Sequence, residues 1–537
     1  MASAKKSTTG PSFRSILSRG FLPAELPPSF STSAYAKVVS GNFAALPAVY
    51  ADEKKNTRIM RHSYTKVGIF RRSLGIPNPL TFVSLAKEVS TSWRQIANHV
   101  QQSPYSVSTP VSGARRAIKP LHDMAEPLER RLKIRTGAKY CLHTDVSQCY
   151  SSLYTHSIPW ALHTKNVAKA KKNDKTLLGN RLDAVIRRTQ DSQTVGVPIG
   201  PDTSLVAAEI ILTAVDIDLA KHVTGAGFRF IDDYEFCFST YAEAETALSA
   251  ISNVLEDYEL RVNTKKTRII ELPAPLDNDW ASEIRLLPVD KNDPKSQRFQ
   301  LMRVFDRAAI LSKQHNDATV LKYAVSRIRN TQADSTNHLL VESLLLQILT
   351  ADPSVIADVL ESLIDLEDKG HATDLGQLGA ALNSIIEVHA PPRHDNEVAW
   401  ALWGALRWRI SLSPQAITAL KKCRNAVVGI LALDALRKGL APALDTTWYQ
   451  LLMSEQELRD QHWLLSYEAN VQGWLPSNSP KDHVLNDPGF AFLKLNGVRF
   501  YNPVTRASKI PPKRRRKPRV EISEGLAGLL PEFSPVQ

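Results

Sequence analysis

Cysteine is scarce in this chain, with four residues among 537: Cys141, Cys149, Cys237 and Cys423. Their spacing does not match the CxxC pattern that is typical of zinc sites and thiol oxidoreductases. We therefore expect reduced, buried cysteines of a cytoplasmic protein, with neither a zinc site nor a disulfide framework.

Long apolar runs are also missing from the sequence. A membrane-spanning helix needs about 18 or more consecutive apolar residues, and the chain has no such stretch. Its first residues, Met1–Ser7, contain two lysines but no apolar segment of the kind found in secretory signals. These absences predict a cytoplasmic protein that makes no contact with a membrane.

Positive charge, in contrast, is in excess. The chain has 67 Lys and Arg against 54 Asp and Glu, which gives a formal net charge of +13 and an isoelectric point near 9.4. Such a balance favours a polyanionic partner, most simply nucleic acid, and the alternative is a basic solvated surface. The hydrophobic content of 43% is typical of globular proteins.

Composition divides the chain into four segments. Residues 1–55 are rich in proline and serine and predict an N-terminal arm, because prolines are excluded from helix interiors. Residues 56–290 mix strand and helix patterns. Residues 291–480 are almost entirely short amphipathic helices with short polar links, which predicts an all-α array of HEAT-like pairs.

The fourth segment, residues 481–537, has two distinct features. Asn496 and Gly497 lie between apolar residues and predict a small hairpin. A dense cationic run follows at Pro511–Arg519. This basic tail could contact a phosphate backbone without reading its sequence, or it could be a solvated tail.

Two adjacent acids, Asp232 and Asp233, lie inside the apolar run Phe228–Phe238. Neighbouring side chains of a strand point to opposite faces, so both carboxylates reach one cation only if the chain turns near them. We predict a hairpin with one strand to Ile231, the acids at the tip, and a second strand from Glu235. Acids in this setting favour a divalent cation, Mg²⁺ or alternatively Mn²⁺, although a polar turn without an ion fits the same pattern.

Three further motifs accompany this hairpin. Asp145 ends a predicted buried strand, which is a common way to present a metal ligand. Gln193–Ser204 contains two glycines and two prolines, so it predicts an irregular turn that lets the backbone approach a ligand before a helix begins. Arg261–Ile270 predicts a strand that carries Lys266.

Together these motifs resemble, in their order, the palm of reverse transcriptases. The correspondence consists of Asp145 with Tyr150, then Gly196–Pro201, then Phe230–Asp233, and finally Asn263–Thr267. This resemblance implies an α+β reverse-transcriptase fingers–palm domain followed by the all-α HEAT-like helical array.

The resemblance narrows to the abortive-infection, defence-associated reverse transcriptases of bacteria, the AbiK-like group. It is carried by Asp145–Ile158, Pro198–Ser204, Phe230–Tyr234, the Pro-rich Leu22–Pro28 and the C-terminal helices. The chain departs from many reverse transcriptases in one respect, because it has Phe-Ile-Asp-Asp where they have Tyr-Ala-Asp-Asp.

Metal and nucleotide roles follow from the resemblance. It implies that Asp145 and Asp232 are primary ligands of a two-metal site, with Asp233 as an accessory ligand. Tyr150 would be the aromatic gate that disfavours a ribose 2′-hydroxyl, which implies deoxynucleoside triphosphates as substrates.

Basic and priming residues are assigned in the same way. Arg116 and Lys119 are candidates for the triphosphate, although an ordinary exposed loop is the alternative, and Lys266 would neutralise or protonate the leaving group. Members of the resembled group are thought to make DNA without a conventional template, starting from a protein hydroxyl. Tyr35 is our first candidate for that hydroxyl and Tyr50 the second, and each would otherwise be an ordinary packing tyrosine.

The implied function is antiphage defence through Mg²⁺-dependent DNA synthesis, by an enzyme that forms trimers or hexamers. A first alternative is an RNA-templated reverse transcriptase that uses an associated non-coding RNA. A second, from another class, is a non-catalytic nucleic-acid-binding scaffold with a relic palm, and the three intact aspartates argue against it.

Overall fold

The computed structural model describes residues 10–52, 55–67, 70–122, 126–276, 279–289, 293–315, 317, 319–331 and 333–510. The cationic run predicted at Pro511–Arg519 lies outside these residues. Among the helices in the described ranges, none combines the length and the apolar character that crossing a membrane requires.

Within the described ranges, eight strands form three antiparallel sheets. Two of the sheets are hairpins, β1 with β2 and β3 with β4, and the third has four strands in the order β6-β7-β5-β8. The strands are β1 (Met60–Val67), β2 (Phe70–Ile76), β3 (Pro110–Ser112), β4 (Ile118–Pro120), β5 (Tyr140–Asp145), β6 (Ala226–Phe230), β7 (Asp233–Phe238) and β8 (Arg268–Glu271).

Helices surround these sheets and form most of the second half of the chain. In the first half they are α1 (Phe13–Arg19), α2 (Ser33–Gly41), α3 (Pro79–Thr91), α4 (Trp93–Val100), α5 (Glu126–Arg135), α6 (Cys149–Ser152), α7 (Ser157–His163), α8 (Lys165–Ala170), α9 (Leu178–Arg188), α10 (Asp202–Leu219), α11 (Tyr241–Asp257) and α12 (Asp279–Leu286). In the second half they are α13 (Pro294–His315), α14 (Thr319–Asn330), α15 (His338–Ala351), α16 (Ile356–Asp368), α17 (Leu375–His389), α18 (Asp395–Trp408), α19 (Pro414–Leu420), α20 (Ala426–Arg437), α21 (Thr447–Leu451), α22 (Trp463–Val471), α23 (His483–Asn486) and α24 (Pro488–Leu495).

Helix α10 is the buried centre of the first half. It is buried on nearly every face, as expected of a helix that is apolar all round. It packs against α4, α7 and α11. This arrangement fixes its start, next to the predicted Gly/Pro turn, relative to the four-stranded sheet.

The second half of the chain is a two-layer helical array. Helices α14, α16, α18, α20 and α22 contact one another in succession, and α13, α15, α17 and α19 form a second succession packed against them. Each helix therefore covers the apolar face of its neighbours. The all-α character predicted for this half is confirmed, and its HEAT-like pairing stays a prediction.

The N-terminal arm is partly helical, because α1 and α2 flank its Pro-rich link. That link, Leu22–Ser31, lies across the helical array. The indole nitrogen of Trp400 donates to the Glu25 carbonyl at 2.9 Å, and that of Trp403 donates to the Ser29 hydroxyl at 3.1 Å. The arm is thus anchored by tryptophans whose bodies lie in the core of the array.

Two sequence predictions are wrong. Asn496 and Gly497 do not form a hairpin tip; they follow helix α24, which Asp487 caps by accepting bonds from Gly489 N and Phe490 N. The cysteines are not all reduced, because Cys141 and Cys237 form a disulfide. They are direct partners in the register of β5 and β7, with Cα atoms 4.1 Å apart.

Candidate active site

The four-stranded sheet brings the three predicted aspartates, Asp145, Asp232 and Asp233, to one end of its strands, called here the aspartate edge. Antiparallel pairing of β5 with β7 places Asp145 directly opposite Asp233. Asp232 lies in the two-residue turn between β6 and β7, and its carbonyl accepts a 3.0 Å bond from Val146 N. The predicted hairpin is present, but its bounds differ from the prediction: Ile231 and Asp232 form the turn, and Asp233 is the first residue of β7 rather than part of the tip.

That turn holds a strained residue. Ile231 has φ +57°, a conformation that a β-branched side chain rarely adopts and that costs about 1–3 kcal/mol. Two contacts hold it: Ile231 N donates to the Ser108 hydroxyl at 2.7 Å, and Arg229 Nη1 donates to the Ile231 carbonyl at 2.7 Å. The direction in which Asp232 leaves the backbone therefore depends on these two neighbours.

Arg229 is the centre of a buried ion network beneath the turn. Its guanidinium donates to Glu209 at 2.9 Å and 3.1 Å and to Asp216 at distances from 2.7 to 3.0 Å. All three side chains are fully buried. Tyr234 adds a hydroxyl bond to Asp216 at 2.9 Å. Because buried charges persist only when paired, this network locks the hairpin onto α10.

Lys266 reaches the same edge from a turn rather than from the predicted strand. The strand begins later, at Arg268, and Asn263 N donates to the Asp145 carbonyl at 2.8 Å. This contact brings the Lys266 ammonium onto Asp145 Oδ2 as an ion pair. Lys266 is half-exposed, so it can also face a ligand that enters the site.

The electrostatics of the aspartates fit a divalent cation. Burial, and then the neighbouring Asp145 charge, raise the pKa of Asp232. Partial loss of water and the charge of Asp232 raise the pKa of Asp233 to about 6. Asp145 Oδ1 is buried without a hydrogen-bond partner. Oxygen ligands of this kind suit Mg²⁺ or Mn²⁺, and a cation would relieve the repulsion that these carboxylates exert on one another.

The oxygens of Asp145, Asp232 and Asp233 do not all lie within 4.8 Å of one another, whereas the ligand atoms of one other group of described residues do. Among the described residues, Cys141, Glu235 and Cys237 place their ligand atoms within 4.8 Å of one another. The two sulfurs are joined as a disulfide, and Glu235 pairs with Arg131 at 2.6 Å. The chemistry of the donors therefore favours the aspartate edge for a cation.

Tyr150 lies beside the aspartates, as predicted. It is the second residue of the short helix α6, which begins directly after Gln148, a residue with φ +48°. Burial raises the pKa of the Tyr150 hydroxyl, and the nearby negative charges of Asp232 and Glu209 raise it further. The ring of Tyr150 is partly buried. The backbone carbonyl of Tyr150 accepts a hydrogen bond from Val197 N at 2.7 Å.

The predicted Gly/Pro turn forms the wall behind Tyr150. Gly196 has φ +86°, and a Cβ there would lie 2.9 Å from the Ser151 carbonyl. Gly200 has φ +134°, and a Cβ there would lie 2.6 Å from Pro23. Both positions require glycine, so the turn lets the arm and the α6 backbone come close together.

Arg72 is a functional candidate that the sequence reasoning missed. It lies on β2 of the hairpin formed by β1 and β2, called here the fingers hairpin, and is exposed. Its positive charge acts on both Tyr150 and Asp232 and opposes the rise in their pKa values. Among the described residues its guanidinium has no partner. The sequence signal that could have identified it is the presence of two adjacent arginines, Arg71 and Arg72. Neighbouring side chains of a strand point to opposite faces, so one of the two points toward the site.

Arg116 is not available for a triphosphate, which corrects the prediction. Its Nε donates to Asp202 at 2.7 Å, its Nη1 to the Leu22 carbonyl at 2.7 Å and its Nη2 to the Gly200 carbonyl at 2.8 Å. It therefore ties the arm to the Gly/Pro turn. Lys119 is exposed on β4, and its contact with triphosphate stays a prediction.

Neither priming candidate presents its hydroxyl to the site. Tyr35 is fully buried and donates to the Pro79 carbonyl at 2.6 Å. Tyr50 is 3% exposed and donates to the Gly489 carbonyl at 3.1 Å. Burial raises the pKa of both hydroxyls, which makes them poor nucleophiles. Their position in the core agrees with the alternative, in which both are ordinary packing tyrosines.

Comparison with known proteins covers the part of the chain that contains this site. Residues 86–321 match the model of the family described as reverse transcriptase (RNA-dependent DNA polymerase). No curated protein matches the chain.

Solved structures of telomerases are among those similar to this chain. Apo telomerase from Candida tropicalis truncated from its C-terminal domain is 16% identical over 46% of this chain and 57% of that chain, with a TM-score of 0.28. The chain thus spans little more than half of that structure. Apo telomerase from Candida tropicalis is 11% identical over 80% of this chain and 74% of that chain, with a TM-score of 0.31. Telomerase from Candida albicans in complex with a TWJ fragment of telomeric RNA is 11% identical over 69% of this chain and 71% of that chain, with a TM-score of 0.28.

The family match includes all three aspartates, Tyr150 and Lys266. Enzymes of that family generally use divalent metal ions, which agrees with the chemistry of the aspartate edge. Residues 86–321 therefore contain a reverse transcriptase domain, the domain of RNA-directed DNA polymerase-like nucleotidyltransferases.

Proposed function

We propose that this enzyme joins deoxynucleoside triphosphates into DNA with Mg²⁺ bound at Asp145, Asp232 and Asp233. The observation that carries the proposal is the placement of these three aspartates at one end of the sheet, with Asp145 opposite Asp233 and Asp145 Oδ1 buried and unpaired. When bound, divalent ions would activate an attacking hydroxyl and neutralise the triphosphate. The chain's own part is to hold the carboxylates in place, through the Ile231 turn and the Arg229 network.

Three other residues act on the nucleotide. Arg72 contacts the triphosphate, because its guanidinium is exposed on β2 and its charge acts on Asp232 and Tyr150. Lys266 exchanges its bond to Asp145 for the leaving group, which it neutralises or protonates. Tyr150 closes the space beside the sugar, since its ring is partly buried and its backbone is held by Val197 N, so it cannot easily make room for a 2′-hydroxyl. Lys119 remains a further candidate for phosphate contact.

Priming from a protein hydroxyl without a template is the finer part of the proposal. It rests on the resemblance to abortive-infection reverse transcriptases and on the anchoring of the Pro-rich arm against the helical array, a feature that we link to that group. The priming residue is left unassigned, because Tyr35 and Tyr50 are both buried. Antiphage defence, a cytoplasmic location, trimeric or hexameric assembly and the HEAT-like nature of the array belong to the same proposal.

A templated reaction is the second candidate. The net charge of +13 favours a bound nucleic acid, and an associated non-coding RNA would provide both charge neutralisation and a template. A non-catalytic scaffold is disfavoured, because a protein that only binds nucleic acid has no need for a strained turn beneath three aspartates.

The test is a Mg²⁺ reaction with labelled deoxynucleotides and no added nucleic acid, run on a denaturing gel before and after protease digestion. Label that migrates with the protein and is released by protease supports protein priming. A nuclease-treated enzyme that is silent until RNA is restored supports the templated reaction instead. Silence of the untreated enzyme under every condition would contradict DNA synthesis altogether.

A further inference from the structure

The fingers hairpin is fixed to the helical array by a buried ion pair. Arg71 Nη1 and Nη2 each donate to one carboxylate oxygen of Glu397 in α18, both at 2.8 Å. The Thr65 hydroxyl donates to the same carboxylate. Glu397 has a side-chain exposure of 2%. A two-point contact of this kind fixes the orientation of the guanidinium as well as its position.

Two more residues of the array hold the neighbouring strand. Asp395 Oδ2, at the start of α18, accepts from Ser63 N at 2.8 Å. Asn425, which caps α20, donates to the Arg61 carbonyl at 2.9 Å and to Asp395 at 3.0 Å. The hairpin is thus bound to the array along both of its strands, by groups that have little access to water.

Alternation along β2 links this anchor to the site. Arg71 and Arg72 are neighbours in an extended strand, so their side chains leave opposite faces. Arg71 faces the array, and the charge of Arg72 acts on Tyr150 and Asp232. At its other end the hairpin is held by Gly75 N, which donates to the Ile199 carbonyl at 2.8 Å. With both ends fixed, the position of Arg72 depends on the Arg71 anchor.

We propose that the helical array positions Arg72 for the incoming nucleotide through the Arg71–Glu397 pair, which makes Glu397 a positioning residue of the polymerase. The inference rests on the proposed contact between Arg72 and the triphosphate. An anchor with no role in catalysis could be apolar, because a buried ion pair contributes little net stability compared with packed apolar side chains. What the pair adds is a defined orientation of the hairpin.

The experiment measures kcat and KM for an equimolar mixture of the four deoxynucleoside triphosphates with the full-length enzyme. The variants are Glu397→Gln, Arg72→Gln and the double substitution. Glu361→Gln is the matched control, because it breaks the Arg329–Glu361 pair (2.6 Å) inside the array without touching the hairpin. An Arg71→Met/Glu397→Leu variant, which leaves no buried unpaired charge, replaces Glu397→Gln if that protein does not fold.

We expect Glu397→Gln to raise KM about 10-fold, the effect of losing one charge-assisted contact, with kcat changed less than about 2-fold. In the Arg72→Gln background the same substitution should add nothing, because the residue it positions is gone. Glu361→Gln should leave KM unchanged.

Three results would overturn the proposal. If Arg72→Gln raises KM and Glu397→Gln does not, the Arg71–Glu397 pair has no positioning role, although the proposed nucleotide contact stands. If the two effects multiply in the double variant, Glu397 acts independently of Arg72. If Arg72→Gln itself leaves KM unchanged, the nucleotide contact fails first, and the inference fails with it.

Discussion

The Ser108 hydroxyl supports the strained turn that carries Asp232, and Ser108→Ala tests that support. Ser108 is fully buried; its hydroxyl donates to Glu209 Oε1 at 2.7 Å and accepts from Ile231 N at 2.7 Å. Ser106 offers a matched control. Its hydroxyl donates to the other Glu209 oxygen at 3.0 Å and accepts from Ser108 N at 3.2 Å, but it makes no hydrogen bond to Ile231.

The structure predicts similar losses of stability for the two variants but different effects on the turn. Each removes a hydrogen bond to a buried carboxylate, worth about 1.5–3 kcal/mol of unfolding free energy. Each also leaves one backbone N–H without its acceptor, at about 1–3 kcal/mol, which is Ser108 N in Ser106→Ala and Ile231 N in Ser108→Ala. Only Ser108→Ala therefore releases the turn. The turn can then relieve its strain by moving, and a shift of Asp232 by about 1 Å is enough to slow catalysis roughly 10²-fold.

The assay compares chemical unfolding with the initial rate of Mg²⁺-dependent deoxynucleotide incorporation, at a temperature where both variants remain folded. We expect Ser106→Ala to keep its rate within about 3-fold of the parent enzyme, since the Ile231 support is intact, and Ser108→Ala to lose about 10²-fold. Equal rates in the two folded variants would refute the role of the Ser108–Ile231 bond.

Three further predictions concern the site. Tyr150→Ala should reduce discrimination against ribonucleotides by about 10²-fold, measured as the ratio of kcat/KM for matched deoxy- and ribonucleotides, and an unchanged ratio would exclude Tyr150 as the gate. Lys266→Met should lower kcat about 10²-fold with little change in KM, as expected for a group that acts on the leaving oxygen; a KM effect alone would assign Lys266 to binding. The pKa of Asp233 is raised to about 6, so below this pH a proton competes with the metal. The Mg²⁺ concentration for half-maximal rate should therefore rise as pH falls through about 6, by up to about 10-fold per unit, and a dependence that is as steep in Asp233→Asn would assign the effect to another group.

Local pattern was sufficient to predict the hairpin that carries Asp232 and Asp233. The acids in Phe228–Phe238 lie within one short segment, and turn formation there depends on neighbours in sequence. The end of β5 at Asp145 was predictable for the same reason. The strain at Ile231 was not predictable, because the groups that impose it, Ser108 and Arg229, act through contacts across the fold.

Residues whose roles depend on distant partners were misassigned. The guanidinium of Arg116 is a group that often binds phosphate. In this fold its N–H donors are bonded to Asp202 and to two backbone carbonyls from other segments. Tyr35 and Tyr50 lie in a segment rich in proline and serine, a composition typical of exposed segments. In the fold, later parts of the chain cover both tyrosines. The disulfide between Cys141 and Cys237 likewise follows from strand register, which spacing along the sequence does not reveal.

The most direct test of the account is Mg²⁺-dependent incorporation of labelled deoxynucleotides by the parent enzyme and by Asp145→Asn, with thermal unfolding of both recorded in parallel. Asn keeps the size of the side chain but removes the charge that would hold a cation. The account predicts incorporation by the parent enzyme and a loss of at least about 10³-fold in Asp145→Asn, with the fold retained. A folded Asp145→Asn enzyme that polymerises at the parent rate would contradict the assignment of the aspartate edge as the catalytic metal site.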